Sequence, residues 1–520
     1  MFDIQTISIV TFAGIFALLA IGMPLAFGSA ILAVLVLIMK FGPEPLFAHF
    51  GSGPLNILAQ RISGMATDYV LVSIPLFIFM ANLLERSGIA AEMYDAMNIW
   101  LGRTRGGIAV VTAIMAVLMA AMSGIIGGEV VLLGLIALPQ MLRLGYDKRL
   151  AIGTICAAGS LGTMIPPSIV LIMYGMVTET SISALFTAAF LPGFMLASFY
   201  IVYIIVRTGM HPEQAPLAPP RPDEPQGWAK AALFLTFSTL LAAGVTVLLL
   251  AYGLLDRAFA AAGAATALPA APALWLMAEL IVLALLGRDR IRLGWRMGKG
   301  LVAPLALIGV VLGSIYGGVT GITEAAAMGV LTVAIFSLIR GELNFSMLFE
   351  TLLRSLKATG NIMWVTIGAT ALAGAYTIAG GPGYIAGLVG DSAMPPMLII
   401  LMMMLVCLLL GAVMDWVGIV LLIMPVFLPI VRALPVESIG IVGTLDPAHV
   451  SVWFGVLFCM NMQVSFLSPP FGPAAFYLKS VAPAHISLTD IFRSFLPFIV
   501  LQLAALVVLM LWPPIATLLL

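Results

Sequence analysis

The sequence predicts an all-α polytopic membrane protein, built as an inverted repeat with two re-entrant hairpins and about 12 transmembrane helices. Three observations carry this. The 520 residues are 62% hydrophobic and only 9% charged, with a mean hydropathy of +1.16. Soluble domains carry about 25% charged residues, so a water-facing surface cannot be assembled from this chain. Next, GAVMDWVGIVLLIMPVFLP at 411–429 has a partner in AMSGIIGGEVVLLGLIALP at 121–139. Both are apolar, both carry one acidic residue (Asp415, Glu129) near a bend, and both end in Leu-Pro. Each also leads to a second matched feature, SLGTMIPPS at 160–168 and SFLSPPFGP at 465–473, and AAFLPGF around Pro192 is matched by RSFLPF around Pro497.

Composition excludes several classes. Net charge is zero, so no nucleic-acid partner is expected. Cys156, Cys407 and Cys459 lie inside apolar runs, where cysteine behaves as a small hydrophobe, and their spacing suits neither a metal nor a disulfide framework. The N-terminus has no positive leader and no cleavage pattern, so it is read as a retained membrane segment. Zinc-protease, Walker A and Gly-x-Ser-x-Gly motifs are absent, which argues against an enzyme and against ATP hydrolysis by this chain.

Along the chain, 5–39 is too long for one span of about 20 residues. Gly22-Met23-Pro24 divides it, because proline removes a backbone donor and glycine bends cheaply. A Gly/Pro loop (41–53) precedes a third span within 55–84, entered by an amphipathic piece with Arg61; 85–107 is charged and suits the membrane surface. Hairpin 1 is placed at 108–142 and an interrupted helix at 146–177, with a further span at 183–207. A Pro-rich linker follows at 211–227, then two extra spans at 231–254 and 268–286, and a basic loop at 288–299. The order then recurs: two spans within 301–339 broken near GGVTGITE, a span at 356–379, a loop at 380–396, hairpin 2 at 397–431, an interrupted helix at 449–478 and a last span at 491–511. The division is therefore a first repeat (1–207), a linker with two extra helices (208–300) and a second repeat (301–520).

Cations set the orientation, since cytoplasmic loops carry excess Lys and Arg. Arg86, Arg103, Arg105, Arg143, Lys148 and Arg149 flank hairpin 1, whereas Arg432 alone flanks hairpin 2. An external N-terminus places every Lys and Arg inside except Lys40, Arg61, Arg257 and Arg432. The repeats then have opposite orientations, the plan of many secondary transporters, with sites at the midplane.

Broken backbone at membrane depth survives only when buried in protein or lining a wet cavity. The matched breaks are 123–129 with 413–418, and 162–168 with 468–473. Helix C-terminal carbonyls at a break suit Na+, and N-terminal amides suit a carboxylate. A Pro-Pro pair also fits a plain kink, although two pairs in register after two hairpins fit that less well. Glu129 and Asp415 are intramembrane carboxylates, which default to function but also suit helix capping. Asn461 and Gln463 suit either substrate contact or helix–helix hydrogen bonding. Thr320, Thr323 and Glu324 read as a capped helix start. His49, His211, His449 and His485 lie in or near loops, and Met402, Met403 and Met404 read as packing.

SGIIGGEVVLLGLIALPQMLRLGYD, GTMIPPSIVLIMYGMV, GITEAAA, AVMDWVGIVLLIMPVFLPI and SPPFGP together resemble the large membrane subunit of tripartite ATP-independent periplasmic (TRAP) transporters, over both halves of the chain. The resemblance implies an elevator-type ion-transporter-like fold, in which two hairpins move against a scaffold. It implies Na+-coupled uptake of organic acids delivered by a periplasmic binding protein, with a small membrane subunit as partner. It places Na+ sites at Ser123, Gly124, Val413, Met414 and Asp415 of the tips and at Gly162, Thr163, Ser468 and Pro470 of the breaks. Two features depart from the family pattern: the first tip has few hydroxyl residues, and the 231–286 helix pair lengthens the connector.

The expectation is a multi-pass subunit of the bacterial inner membrane, importing a small carboxylate with Na+ close by. The carboxylate would be held by amides and hydroxyls among Ser123, Gly124, Thr163, Pro166, Pro167, Ser168, Asn461, Gln463, Ser468, Pro469 and Pro470. No Arg or Lys falls in the expected core, so no ion pair with substrate is expected from this chain. A stand-alone carrier, a membrane-embedded enzyme using Glu129 with Asp415, and a structural assembly subunit remain as alternatives.

Overall fold

The computed structural model describes residues 2–43, 53–217, 225, 227–259, 270–390 and 394–520. His49, most of the 41–53 loop, and parts of the linker and of the connection between the extra helices lie outside the described residues. The described residues form helices joined by short turns, with no strand among them. Among the described residues nine segments are long and apolar enough to cross a membrane, and shorter apolar helices accompany them.

In the first half, α1 (Ile4–Ala20) and α2 (Leu25–Phe41) are separated at Gly22 and Pro24. The amphipathic α3 (Pro54–Ala66) precedes α4 (Ser73–Arg86) and α5 (Ile89–Leu101). Hairpin 1 is α6 (Gly107–Ser123) and α7 (Ile126–Arg143). The interrupted helix is α8 (Lys148–Gly159), a tight turn at Ser160–Thr163, and α9 (Ile169–Thr178), and α10 (Ile182–Met210) closes the half. The connector carries α11 (Trp228–Phe259), α12 (Ala270–Leu286) and α13 (Arg288–Gly298).

The second half runs α14 (Val302–Tyr316), α15 (Ile322–Ile339), α16 (Phe345–Ile378) and α17 (Gly381–Gly390). Hairpin 2 is α18 (Pro396–Gly411) and α19 (Trp416–Ala433). The second interrupted helix is α20 (Val450–Leu467) and α21 (Pro473–Lys479), and α22 (Leu488–Leu511) and the short α23 (Pro514–Thr517) finish the chain.

Three expectations are corrected. The basic segment 288–299 is a helix, because Gly294, Met297 and Gly298 share a face that packs on α11, leaving the arginines outside. The 380–396 loop contains α17, where Gly381 lies under the Tyr376 ring. Neither Thr320 nor Thr323 caps α15: its N-cap is Gly321. The Thr323 hydroxyl instead donates to the Tyr69 carbonyl (3.4 Å) and Glu324 accepts from the Tyr69 hydroxyl (3.0 Å). Those contacts tie the entry to α4 to the start of α15, while the buried Thr320 hydroxyl has no partner.

The core is organised around α20, buried almost throughout, and α8, buried from Leu150 to Gly159. Small residues let helices approach where lipid supplies no hydrophobic drive between them. A Cβ on Gly153 of α8 would come 2.5 Å from the Ser494 carbonyl of α22, and one on Gly159 would come 2.7 Å from Val130 of α7. A third seam joins α2 to α16, where a Cβ on Gly368 would lie 2.2 Å from the Ala26 carbonyl. Polar ties at helix ends are ion pairs: Arg86–Glu350 (2.5 Å), Arg340–Glu92 (2.6 Å) and Lys148–Asp490 (2.9 Å). Arg432 reaches the Ser451 hydroxyl and the Thr178 carbonyl at the other end of hairpin 2.

Candidate functional site

The tip of hairpin 1 is only Gly124 and Ile125. Gly124 has φ +67°, and a Cβ there would sit 2.4 Å from the Pro167 carbonyl, so this position needs glycine. The tip thus rests on the break between α8 and α9, and the Ile169 amide donates to the Gly124 carbonyl at 3.4 Å. In this way one interruption supplies partners for peptide groups that the other leaves open.

Glu129, in the first turn of α7, is 1% exposed. Its Oε1 accepts from the Ser123 hydroxyl across the tip, and its Oε2 has no partner. Gly162, from the turn before the break, faces the same carboxylate. A Cβ there would lie 2.5 Å from Glu129 Oε1 and 2.9 Å from the Ile125 carbonyl. A carboxylate, a hydroxyl and a carbonyl therefore converge on a spot that any larger residue would fill.

Hairpin 2 forms a different corner. A Cβ on Gly411 would come 2.0 Å from Ser465 Oγ, and that buried hydroxyl has no partner. Beside it lies a cavity of about 10 Å³ lined by Gly411, Met414, Asp415 and Ser465, among others. That is close to the space of one water. Asp415 stands at the N-cap position of α19, where the helix dipole favours a negative charge.

The first break is tied to α20 just before the second. Gln463 Nε2 donates to Thr163 Oγ1 at 2.6 Å, and Thr163 donates to the Ser160 carbonyl at 3.1 Å. Ser168 donates to the Thr163 carbonyl at 2.5 Å and caps α9.

A cavity of about 470 Å³ opens between the tips and the helices facing them. Gly124, Ile125, Thr163, Asp415 and Trp416 line one side; Asn82 of α4 and Arg354, Ala358 and Asn361 of α16 line the other. Arg354, Ala358 and Asn361 fall at i, i+4 and i+7, one face of a helix. Asn82 Nδ2 donates to Ser355 Oγ at 3.0 Å and holds α4 against α16. Arg354 contradicts the expectation that no cation reaches the site. Asn344 caps α16 so early that the stretch before 356, read as an internal loop, is its first turns.

Of the expected residues, Gly124, Thr163 and Asp415 line this cavity. Ser123 and Gly162 belong to the Glu129 corner, and Met414 to the small cavity. Pro166, Pro167 and Ser168 are buried behind the first tip, and Ser468 donates to the Val464 carbonyl (2.8 Å). Pro469, Pro470 and Val413 are exposed. Both Pro-Pro bonds are cis. Asn461 donates to the Met404 carbonyl at 2.8 Å and so joins α20 to α18 away from the cavity. Arg354, Asn361 and Asn82 were missed; the spacing in RSLKATGN was the available signal.

The donor set fits a small hard cation, which takes carbonyl, hydroxyl and carboxylate oxygens. The orphaned Glu129 Oε2, the orphaned Ser465 hydroxyl and the cradle at Gly162 are the supporting observations.

Residues 12–515 match the family model described as "Tripartite ATP-independent periplasmic transporter, DctM component". The chain is 26% identical over 462 residues to the C4-dicarboxylate TRAP transporter large permease protein DctM of Pseudomonas aeruginosa, covering 88% of each chain. It is 26% identical over 519 residues to the ectoine TRAP transporter large permease protein TeaC of Halomonas elongata, covering 98% of this chain and 97% of that one. Among solved structures, the Alcanivorax borkumensis YdaH transporter has a TM-score of 0.52 at 16% identity, covering 94% of this chain and 96% of that chain. This likeness concerns the fold alone: an all-helical polytopic membrane protein. The match across nearly the whole length establishes that the chain belongs to the tripartite ATP-independent periplasmic transporter family, as its DctM component, the large permease.

Proposed function

We propose that the chain is the large permease of a Na+-coupled transporter that imports a small carboxylate across the bacterial inner membrane. A periplasmic binding protein delivers the substrate, and a small membrane subunit completes the assembly. The observation that carries the substrate class is the Arg354 guanidinium, set with Asn82 and Asn361 opposite the two hairpin tips. Guanidinium and amide donors on one wall suit an anionic planar group. The name of the Pseudomonas relative, a C4-dicarboxylate permease, points the same way.

For the cation, the Glu129 corner offers Ser123, Glu129 and the Ile125 carbonyl beside Gly162, and the second corner offers Asp415 and Ser465. Na+ bound there supplies positive charge that offsets the two carboxylates and favours an anion between the tips. Gln463 and Thr163 keep the breaks in register.

The chain divides into a first repeat (1–207), a connector with two added helices (208–300) and a second repeat (301–520). The hairpins, α8, α9, α20 and α21 move as one body past α2, α4, α15 and α16, an elevator that carries the tips across the membrane.

The test is uptake into proteoliposomes holding the full chain and its small subunit, with a candidate binding protein outside. Labelled C4-dicarboxylate should accumulate only with a Na+ gradient and only with the binding protein. Equal uptake in choline would remove the Na+ coupling. Uptake by the chain alone would make it a stand-alone carrier.

A further inference from the structure

The added helix pair and the basic helix after it are unused by the transport site. Between α5 and α11 lies a groove of about 530 Å³ whose lining is almost wholly apolar. Trp100 and Phe234 meet edge to face in its wall, with ring centroids 5.4 Å apart. Leu301, just past α13, and Leu305 of α14 also line it, together with Lys230 of α11. The groove is of ligand size, since pockets for small ligands run about 300–1,000 Å³.

The basic helix α13 packs beside it. Gly294 and Gly298 press on α11: a Cβ on Gly298 would lie 2.3 Å from the Phe237 ring. That buried face leaves Arg288, Arg292, Arg296 and Lys299 as one ridge, at i, i+4, i+8 and i+11. All four are exposed, and none has a carboxylate partner among the described residues. Trp228, at the start of α11, is 91% exposed and Trp295 is 47% exposed. Tryptophan exposed beside a row of cations marks a membrane surface level.

We propose that α5, α11 and α13 form a seat for an anionic phospholipid, with an acyl chain in the groove and the phosphate on the Arg292–Arg296–Lys299 ridge. An apolar slot lined by Leu301, two residues beyond Lys299 at the end of the cationic ridge, matches both halves of such a lipid. Basic pockets between membrane helices on the cytoplasmic side hold anionic headgroups in this way. The cation distribution along the chain puts this ridge on the cytoplasmic side. The added pair thereby makes a lipid-lined joint between the connector and the scaffold. This inference does not depend on the substrate or on the coupling ion.

The experiment uses the full chain purified in a mild detergent and titrated with phosphatidylglycerol or phosphatidylcholine, read by native mass spectrometry and thermal unfolding. Wild type should retain phosphatidylglycerol at least tenfold better than phosphatidylcholine and be stabilised by it. Arg292→Gln/Arg296→Gln/Lys299→Gln should bind both lipids alike, and Arg292→Lys/Arg296→Lys should keep the preference. Ala231→Trp, which fills the groove, should lose retention of either lipid; thermal unfolding and gel filtration show whether each variant is folded. Equal retention of the two lipids by wild type, an intact preference in the neutral variant, or retained lipid in Ala231→Trp would overturn the proposal. So would a cross-link from Phe234→Cys to the small membrane subunit, which would make the groove a protein contact.

Discussion

Gly162→Ala tests the first proposed cation corner with a single methyl group. The added carbon would stand 2.5 Å from Glu129 Oε1, 3.0 Å from its Cδ and 2.9 Å from the Ile125 carbonyl. Contacts under about 3.0 Å do not persist, so the carboxylate or the tip must shift by roughly half an ångström or more. Glu129 is 1% exposed and enclosed by protein, so it has no free direction to take. Overpacking of this kind costs about 1–3 kcal/mol. If the cation-loaded form needs both oxygens in place, that cost falls on loading, and 1–3 kcal/mol corresponds to about 5- to 150-fold in apparent affinity. The assay is the Na+ dependence of uptake in proteoliposomes, with thermal unfolding in parallel. Gly360→Ala is the matched control, because nothing lies within 4 Å of a Cβ there. A half-saturating Na+ concentration unchanged within twofold for a folded Gly162→Ala would refute the reasoning.

Other changes separate substrate contacts from scaffolding. Arg354→Gln should raise the KM for a carboxylate about 5- to 30-fold. Two unit charges 4 Å apart interact by about 1 kcal/mol in water and about 4 at an effective dielectric of 20, and an exposed side chain belongs near the lower end. Arg354→Lys should recover most of the loss, and an unchanged KM in Arg354→Gln would discard the anion wall. Thr163→Val removes the acceptor of Gln463 and leaves a buried amide unpaired, which should lower stability by about 1–3 kcal/mol in denaturant titration. Asn461→Leu removes the bond to Met404 together with an oxygen that already lacks a partner. It should change stability by only about 1 kcal/mol and leave the KM alone; a raised KM would return Asn461 to the substrate site.

Most of the architecture was legible because its interruptions are chemically loud. Gly22-Met23-Pro24, the Gly124 tip and the two Pro-Pro breaks each remove or bend backbone in ways that leave few alternatives. The matched carboxylates of the hairpins stood out against apolar runs for the same reason. What stayed hidden was polar surface turned toward a wet cavity. Arg354 and Asn361 resemble residues of a solvated loop, because water inside the protein selects the same side chains as water outside it. The α13 helix was obscured likewise, since its narrow buried face is made of glycines and one methionine, which carry little hydrophobic signal. Asn461 was ambiguous in principle: an amide that joins two helices and one that meets a ligand share one composition, and only its bond to Met404 separates them.

The seam between Gly368 and the Ala26 carbonyl has a mechanical consequence. Backbone meets backbone there with no side chain to yield, so neither helix has room to slide or roll against the other. Helix α2 therefore acts as a splint for α16, and under the proposed elevator the row that carries Arg354 and Asn361 would stay put while the tips travel. Substrate would leave a stationary wall behind on every cycle, and the distance to that wall would tell the two ends of the stroke apart.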